Sequence, residues 1–364
     1  MTTQRIETRL NEATVKELDA WRIDRTPALS RSDAVRLLLE EHLPKKRRVS
    51  ALAPPEFGRR PNIDLLGAIF SLERISGFGP VKFRIMHEAG IDALAVIDNP
   101  DLLPFTRRTG ENLRRGIRAL SEADLAKDRK KAISQIEKAD QLSAEILLHG
   151  DPRYPPRVYA SNPVPVLYAR GDPAIWSGAG TVAVVGSRKI REPYASAARQ
   201  FAEMAARNGM VVVSGFAMGA DTMGHSAAVE AGGKTICVMP CGLDMVFPPE
   251  NRKLWEELLA RPGAVFVSEF RLGQRASSLM LRKRNKLIVA FSQGVLVAQS
   301  ALAGGAMNAY RFGREQKKPV TTFRTDGLED TGGNALIEKD DRTGNFAFDL
   351  TDSPKRREAW LKRL

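Results

Sequence analysis

Between residues 181 and 323 the chain repeats one pattern: a short apolar run rich in β-branched residues, then a longer run with helical spacing. The short runs are residues 181–185, 210–213, 235–239, 264–267, 295–298 and 319–323. They are apolar throughout instead of alternating, so both faces of each strand have to be covered. The intervening helical runs are residues 195–207, 221–231, 252–260, 281–291 and 306–315. Gly209 and Gly232-Gly233 follow two of them as C-terminal stops, and Pro262-Gly263 follows a third. Buried strands connected through helices predict an α/β fold with a doubly wound, mostly parallel sheet. Such a sheet takes its ligands beyond the carboxyl ends of its strands.

Those strand ends carry glycine turns. After the first strand comes Gly186-Ser187-Arg188-Lys189. Glycine lets the backbone turn tightly and approach an anion, and the helix that follows aims N–H groups at the same point. Arg188 adds a planar fork suited to phosphate. After the second strand comes Ser214-Gly215, with Gly219 just ahead of the helix at Asp221. A glycine turn is equally compatible with close packing alone. A second feature shifts the balance: Arg282-Lys283-Arg284-Asn285-Lys286 places four cations in five residues, directly ahead of an apolar run at 287–291. The alternative is a solvated charge run. On the first turn of a helix, the cluster would face the same rim as Gly186 and complete a phosphate pocket.

The dinucleotide fingerprint G-x-G-x-x-G is absent after the first strand, and no acid ends the second to hold a ribose. No G-x-x-x-x-G-K-[ST] sequence occurs either, so no cofactor is expected. The net charge of +13 favours a polyanionic partner, nucleic acid first among them. Cys237 and Cys241 are the two cysteines, too few for a disulfide framework, and the expected setting is a reducing cytoplasm. No stretch approaches a membrane span, and residues 1–10 lack the apolar core of a signal peptide.

Residues 150–338 resemble the DprA/Smf DNA-processing family. The resemblance is carried by many ordered pieces: Asp151-Pro152-x-Tyr154-Pro155, Val185-Gly186-Ser187-Arg188, Ser214-Gly215-x-Ala217-x-Gly219-x-Asp221, Gly242-Leu243-Asp244, Pro248-Pro249-Glu250-Asn251, Arg284-Asn285-Lys286-x-Ile288 and Gly333-Asn334-x-Leu336-Ile337. It implies a Rossmann-like domain that dimerises, binds single-stranded DNA and helps to load a RecA-type recombinase. It also implies that Gly186, Ser187, Arg188, Lys189, Ser214, Gly215, Gly219, Lys283, Arg284, Asn285 and Lys286 form the phosphate-binding set. The chain departs from the pattern at Gln299, where an acid is usual, and at Met307-Asn308.

Four segments flank that domain. Residues 1–44 resemble a ribbon-helix-helix module, a homodimeric fold that would set Arg5, Glu7, Arg9 and Ser30 against duplex DNA. Residues 45–61 read as a basic linker and 62–149 as a helical domain, in which 125–147 reads as one helix. Ile75-Ser76-Gly77-Phe78-Gly79-Pro80 there resembles a helix-hairpin-helix turn. Residues 341–364 read as a basic tail. No serine or cysteine stands in a recognisable order with one of the four histidines, so no enzyme is expected. Asp221 and His225 lie one helical turn apart, but a metal pair lacks a third ligand; a capping aspartate and a packed histidine fit better. The other readings are a nucleotide sensor using the same pocket and a DNA-binding regulator acting through residues 1–44.

Overall fold

The computed structural model describes residues 61–340, 346–352 and 354–364. Among the described residues, five α-helices precede the first strand: α1 (Ile63–Glu73), α2 (Pro80–Glu88), α3 (Ala93–Asp98), α4 (Arg107–Arg118) and α5 (Glu122–Gln141). Asn62 starts α1 by accepting from the backbone N–H groups of Asp64 and Leu65. Ser121 and Asp124 start α5 with a reciprocal capping box. The chain then alternates: β1 (Ala144–Leu148), α6 (Pro156–Ser161), β2 (Val166–Gly171), β3 (Thr181–Val185), α7 (Tyr194–Arg207), β4 (Val211–Ser214), α8 (Ala220–Glu230), β5 (Thr235–Val238), α9 (Arg252–Leu259) and β6 (Ala264–Ser268). It closes with α10 (Ser278–Phe291), β7 (Gly294–Val297), α11 (Met307–Glu315), β8 (Val320–Phe323), α12 (Gly332–Lys339), β9 (Phe346–Phe348) and α13 (Pro354–Leu361).

The described strands form one sheet in the order β1-β2-β6-β5-β4-β3-β7-β8-β9. From β6 to β9 all neighbours are parallel, while β2 runs antiparallel to both β1 and β6. The sheet is Rossmann-like and mostly parallel, as the strand pattern predicts. Alternation along β3 shows how its layers form. Val182 and Val184 pack with Phe201, Ala205 and Ala227 of α7 and α8. Ala183 and Val185 pack on the opposite face with Leu287, Ile288 and Tyr310 of α10 and α11. Successive side chains of a strand point to opposite faces, so a strand covered on both sides has to be apolar throughout.

Two sequence expectations are corrected. The helix expected over 125–147 ends at Gln141, and Ala144–Leu148 is instead the antiparallel edge strand β1. An apolar run such as Ala-Glu-Ile-Leu-Leu suits either state, and pairing with β2 decides it. The segment read as a basic tail contributes β9, which pairs with β8, and α13, whose Trp360 is buried against Phe201 and Phe348. The five-helix layer is fixed to the sheet domain at Arg271 and Leu272. Gln135 of α5 both donates to and accepts from the Leu272 backbone, at 3.1 and 2.8 Å. Arg271 pairs with Glu73 and lies 3.9 Å from the centre of the Phe70 ring. Among the described residues, no helix is long and apolar enough to cross a membrane.

Candidate functional site

The chain runs from β3 outward through β4 and β5 to β6, then returns to place β7 on the other side of β3. The carboxyl ends of β3 and β7 therefore form the switch point where an open α/β sheet presents its crevice. A cleft of about 510 Å³ lies there. Its walls are the Gly186-Ser187-Arg188 turn, Ser278, Arg282 and Asn285 of α10, and the loop from Ser300 to Asn308.

The turn is held by hydrogen bonds and by absent side chains. Ser187 donates its N–H to the Gln299 carbonyl at 2.8 Å and accepts at its own carbonyl from Ala220 at 3.1 Å. Its Oγ accepts from the Lys189 N–H. A Cβ on Gly186 would sit 2.7 Å from the Ala220 Cβ. Gly219 has φ +80° and ψ −122°, and a Cβ there would lie 2.4 Å from the Ser187 carbonyl oxygen. The turns after β3 and β4 thus interlock, and glycine is required where they touch.

Arg284 corrects an expectation. It is 5% exposed and fills the space beneath the cleft instead of reaching out of it. Its Nη1 donates to the Gly215 carbonyl and lies 3.7 Å from the Asp221 carboxylate. A Cβ on Gly215 would collide with that guanidinium, so the glycine makes room for the arginine. Burial pushes the Asp221 carboxyl above its ordinary value, and Arg284 pulls it back. Asp221 also accepts from the Ala217 N–H, and the Ser214 hydroxyl donates to the Val184 carbonyl. Ser214, Gly215, Asp221 and Arg284 thus shape the floor. One group there is unused: the Arg284 Nε is buried and makes no hydrogen bond. His225 packs behind this floor, 2.6 Å from the Thr235 hydroxyl and 3.6 Å from the Cys237 sulfur. Burial drops its imidazole to about 3, so it is neutral.

The cation cluster divides. Because α10 begins at Ser278, the cluster occupies its second turn and not its first. Ser278, Arg282 and Asn285 share one face at helical spacing and line the cleft. Asn285 also donates to the Gly305 carbonyl at 3.2 Å. Lys283 and Lys286 are not among the cleft-lining residues; their charges act on Glu269, whose carboxyl burial raises to about 7 against the pull of Lys283. Arg188, which lines the cleft, is exposed; Lys189 is exposed too but, like Lys283 and Lys286, is not among the cleft-lining residues. Arg282 belongs to the cation cluster read from the sequence but not to the residue set that the resemblance implies; its helical spacing from Asn285 is the signal that places it on the cleft wall, and both readings omit Ser300 and Asn308.

The hairpin at Gly77 joins α1 to α2 with φ +85°, and Phe78 is buried against Phe83 at 5.0 Å. Space is open at the Cβ positions of Gly77 and Gly79. Arg5, Glu7, Arg9 and Ser30 lie outside the described residues.

Residues 145–350, more than half of the chain, match the family model for DNA recombination-mediator protein A. The chain is 30% identical to protein Smf of Synechocystis over 51% of its own length and 47% of the relative. It is 32% identical to protein Smf of Escherichia coli over 67% of its length and 62% of the relative. It is 33% identical to DNA processing protein DprA of Streptococcus pneumoniae over 43% and 56%. The chain thus spans between about half and three-fifths of the curated relatives it matches. Among solved structures, S. pneumoniae DprA superposes with a TM-score of 0.61 over 80% of this chain and 95% of that one, at 22% identity. DNA processing protein A of Helicobacter pylori, described for its single-stranded DNA binding mode, superposes with a TM-score of 0.53 over 61% and 97%, at 26% identity. By the extent of the family match, the chain belongs to the DNA recombination-mediator protein A family.

Proposed function

We propose that this chain is a recombination mediator that binds single-stranded DNA by its phosphates in the β3/β7 cleft. The observation that carries this reading is the cleft's composition. A glycine turn with exposed Arg188 faces Arg282 across a floor holding a buried arginine with an unused donor. A site built from guanidinium forks and a glycine turn suits a phosphodiester better than a neutral ligand. The binding mode of the H. pylori relative supports it. On this reading the protein acts without catalysis of its own, in the cytoplasm, as a homodimer and beside a RecA-type recombinase.

The test is affinity for an oligothymidylate across a salt series. Each neutralised phosphate contributes about −0.7 to the log–log slope, so Arg188→Ala with Arg282→Ala is expected to weaken binding and flatten the slope by about 1.4. Unchanged affinity and slope refute the reading. A nucleotide sensor would instead show a thermal shift with mononucleotides and no DNA binding. With a DNA duplex titrated beside the oligothymidylate, deleting residues 1–50 should remove duplex binding and spare the single strand; equal loss of both refutes separate sites.

A further inference from the structure

Gln299 is where the chain leaves the acid that its resemblance leads one to expect. It is fully buried just beyond β7, and its polar groups turn toward the anion turn. Its carbonyl accepts from the Ser187 N–H at 2.8 Å. Its Oε1 accepts from the Arg191 N–H at 3.0 Å, and its Nε2 donates to Asp330 Oδ2 at 2.7 Å. Asp330 in turn receives Arg191 Nε at 2.7 Å and Nη2 at 3.0 Å. Arg191 Nη2 also meets Asp326 at 2.5 Å. One residue thus fastens the segment 186–191 at both ends, and ties it to the turn at 326–330.

We propose that Gln299 is a positioning residue for the DNA-binding turn: its amide, through Arg191 and Asp330, sets the geometry at which Ser187 and Arg188 meet phosphate. The inference rests on the reading that the cleft binds single-stranded DNA. The chemistry requires a group that accepts on one side and donates on the other. An amide does both. A carboxylate accepts from Arg191 but has nothing to give Asp330, and it adds charge to a cluster that already sets two carboxylates against one guanidinium. A protonated carboxyl does both again. The charged and titratable groups here are Arg191, Asp326 and Asp330, with the Tyr194 ring 5.3 Å from Arg191. Hydrogen bonds from Arg191 hold both aspartates below their ordinary range.

The sign follows. Gln299→Glu introduces a carboxyl whose ordinary value of about 4.3 is raised by burial and by Asp330, so it acts as an amide mimic at low pH and as an intruding charge at high pH. Affinity for an oligothymidylate is measured on the full chain between about pH 5 and about pH 8, each variant against wild type at the same pH. The expected Gln299→Glu result is near wild-type binding at the low end and about tenfold weaker binding at the high end, the equivalent of one good hydrogen bond. Gln299→Glu with Asp330→Asn exchanges donor for acceptor and restores the charge sum; it should return to within about threefold of wild type throughout. Gln299→Leu loses both side-chain bonds without adding charge and should bind about tenfold more weakly at every pH.

Wild-type behaviour of Gln299→Glu at all pH values overturns the assignment. So does a double variant no better than Gln299→Glu at the high end. A Gln299→Glu chain that loses its cooperative thermal transition there also overturns it, because the residue would then hold the fold and not the turn. The two readings fail separately. If Arg188→Ala with Arg282→Ala leaves binding intact, the cleft reading falls. If that pair weakens binding while the Gln299 variants depart from expectation, only the positioning role falls.

Discussion

Gly219→Ala probes the point where the two glycine turns touch. The residue sits at φ +80° and ψ −122°, which an L side chain reaches at a cost of about 1–3 kcal/mol. The added methyl would lie 2.4 Å from the Ser187 carbonyl oxygen and 2.6 Å from that of Arg188. Both obstacles are backbone, so relief requires moving the anion turn by about 1 Å to reach ordinary van der Waals contact. That shift also stretches the bond from the Ala220 N–H to the Ser187 carbonyl, worth about 1 kcal/mol. The expected destabilisation is about 2–4 kcal/mol. Loss of one charge-assisted phosphate bond, about 1.5–3 kcal/mol, adds a fall in oligothymidylate affinity of about ten- to a hundredfold. Gly209→Ala is the control. It has φ +75° but nothing within 4 Å, and it lies between α7 and β4, at the amino ends of the strands and so at the opposite end of the sheet from the cleft. It should cost about 1 kcal/mol and leave DNA binding unchanged. Urea unfolding and an oligothymidylate titration measure both variants. Equal stability losses, or normal DNA binding by Gly219→Ala, would refute the interlocked-turn reasoning.

Two other outcomes follow from buried charge. Arg284→Met strands Asp221 in the interior without its counter-charge and should cost about 3–5 kcal/mol in urea unfolding, whereas Arg282→Ala on the cleft wall should change stability by no more than about 0.5 kcal/mol. Burial holds His149 at about 4 and His225 at about 3. Both lie below the ordinary value for histidine, so the unfolded chain binds protons that the folded chain refuses. Their contribution is whole above about pH 6.5 and is lost as pH falls toward the folded values, by at most about 3 kcal/mol for His149. His149→Phe should flatten the dependence of unfolding free energy on pH between about 6.5 and 4; an unchanged slope contradicts a neutral, desolvated His149.

The parallel core was legible in the sequence because each strand needs apolar residues on both faces, a demand that leaves no alternation to misread. The edge strands were not. β1 is an apolar run of five residues that periodicity cannot separate from a helix end, and β9 is three residues long. Their state is set by neighbours far along the chain. The same limit governed the site. Gly186 and Arg188 are marked locally, by a turn that follows a strand. Arg284 is not, since its partner carbonyl belongs to Gly215, 69 residues away. A run of cations reads alike whether each member is solvated or entombed. Only the helical spacing of Ser278, Arg282 and Asn285 sorts them in advance, and it needs the helix start, which Ser277 sets by capping the Met280 N–H.

The Gln135–Leu272 exchange has a mechanical meaning. A side-chain amide that donates to and accepts from one residue's backbone behaves as a rung of sheet ladder, here supplied by a helix. Arg271, clasped between Glu73 and Phe70, adds a second tie between the five-helix layer and the sheet domain at this seam. The amides of α5 and β6 should exchange with solvent in one cooperative event, and a pulling experiment should see them yield together.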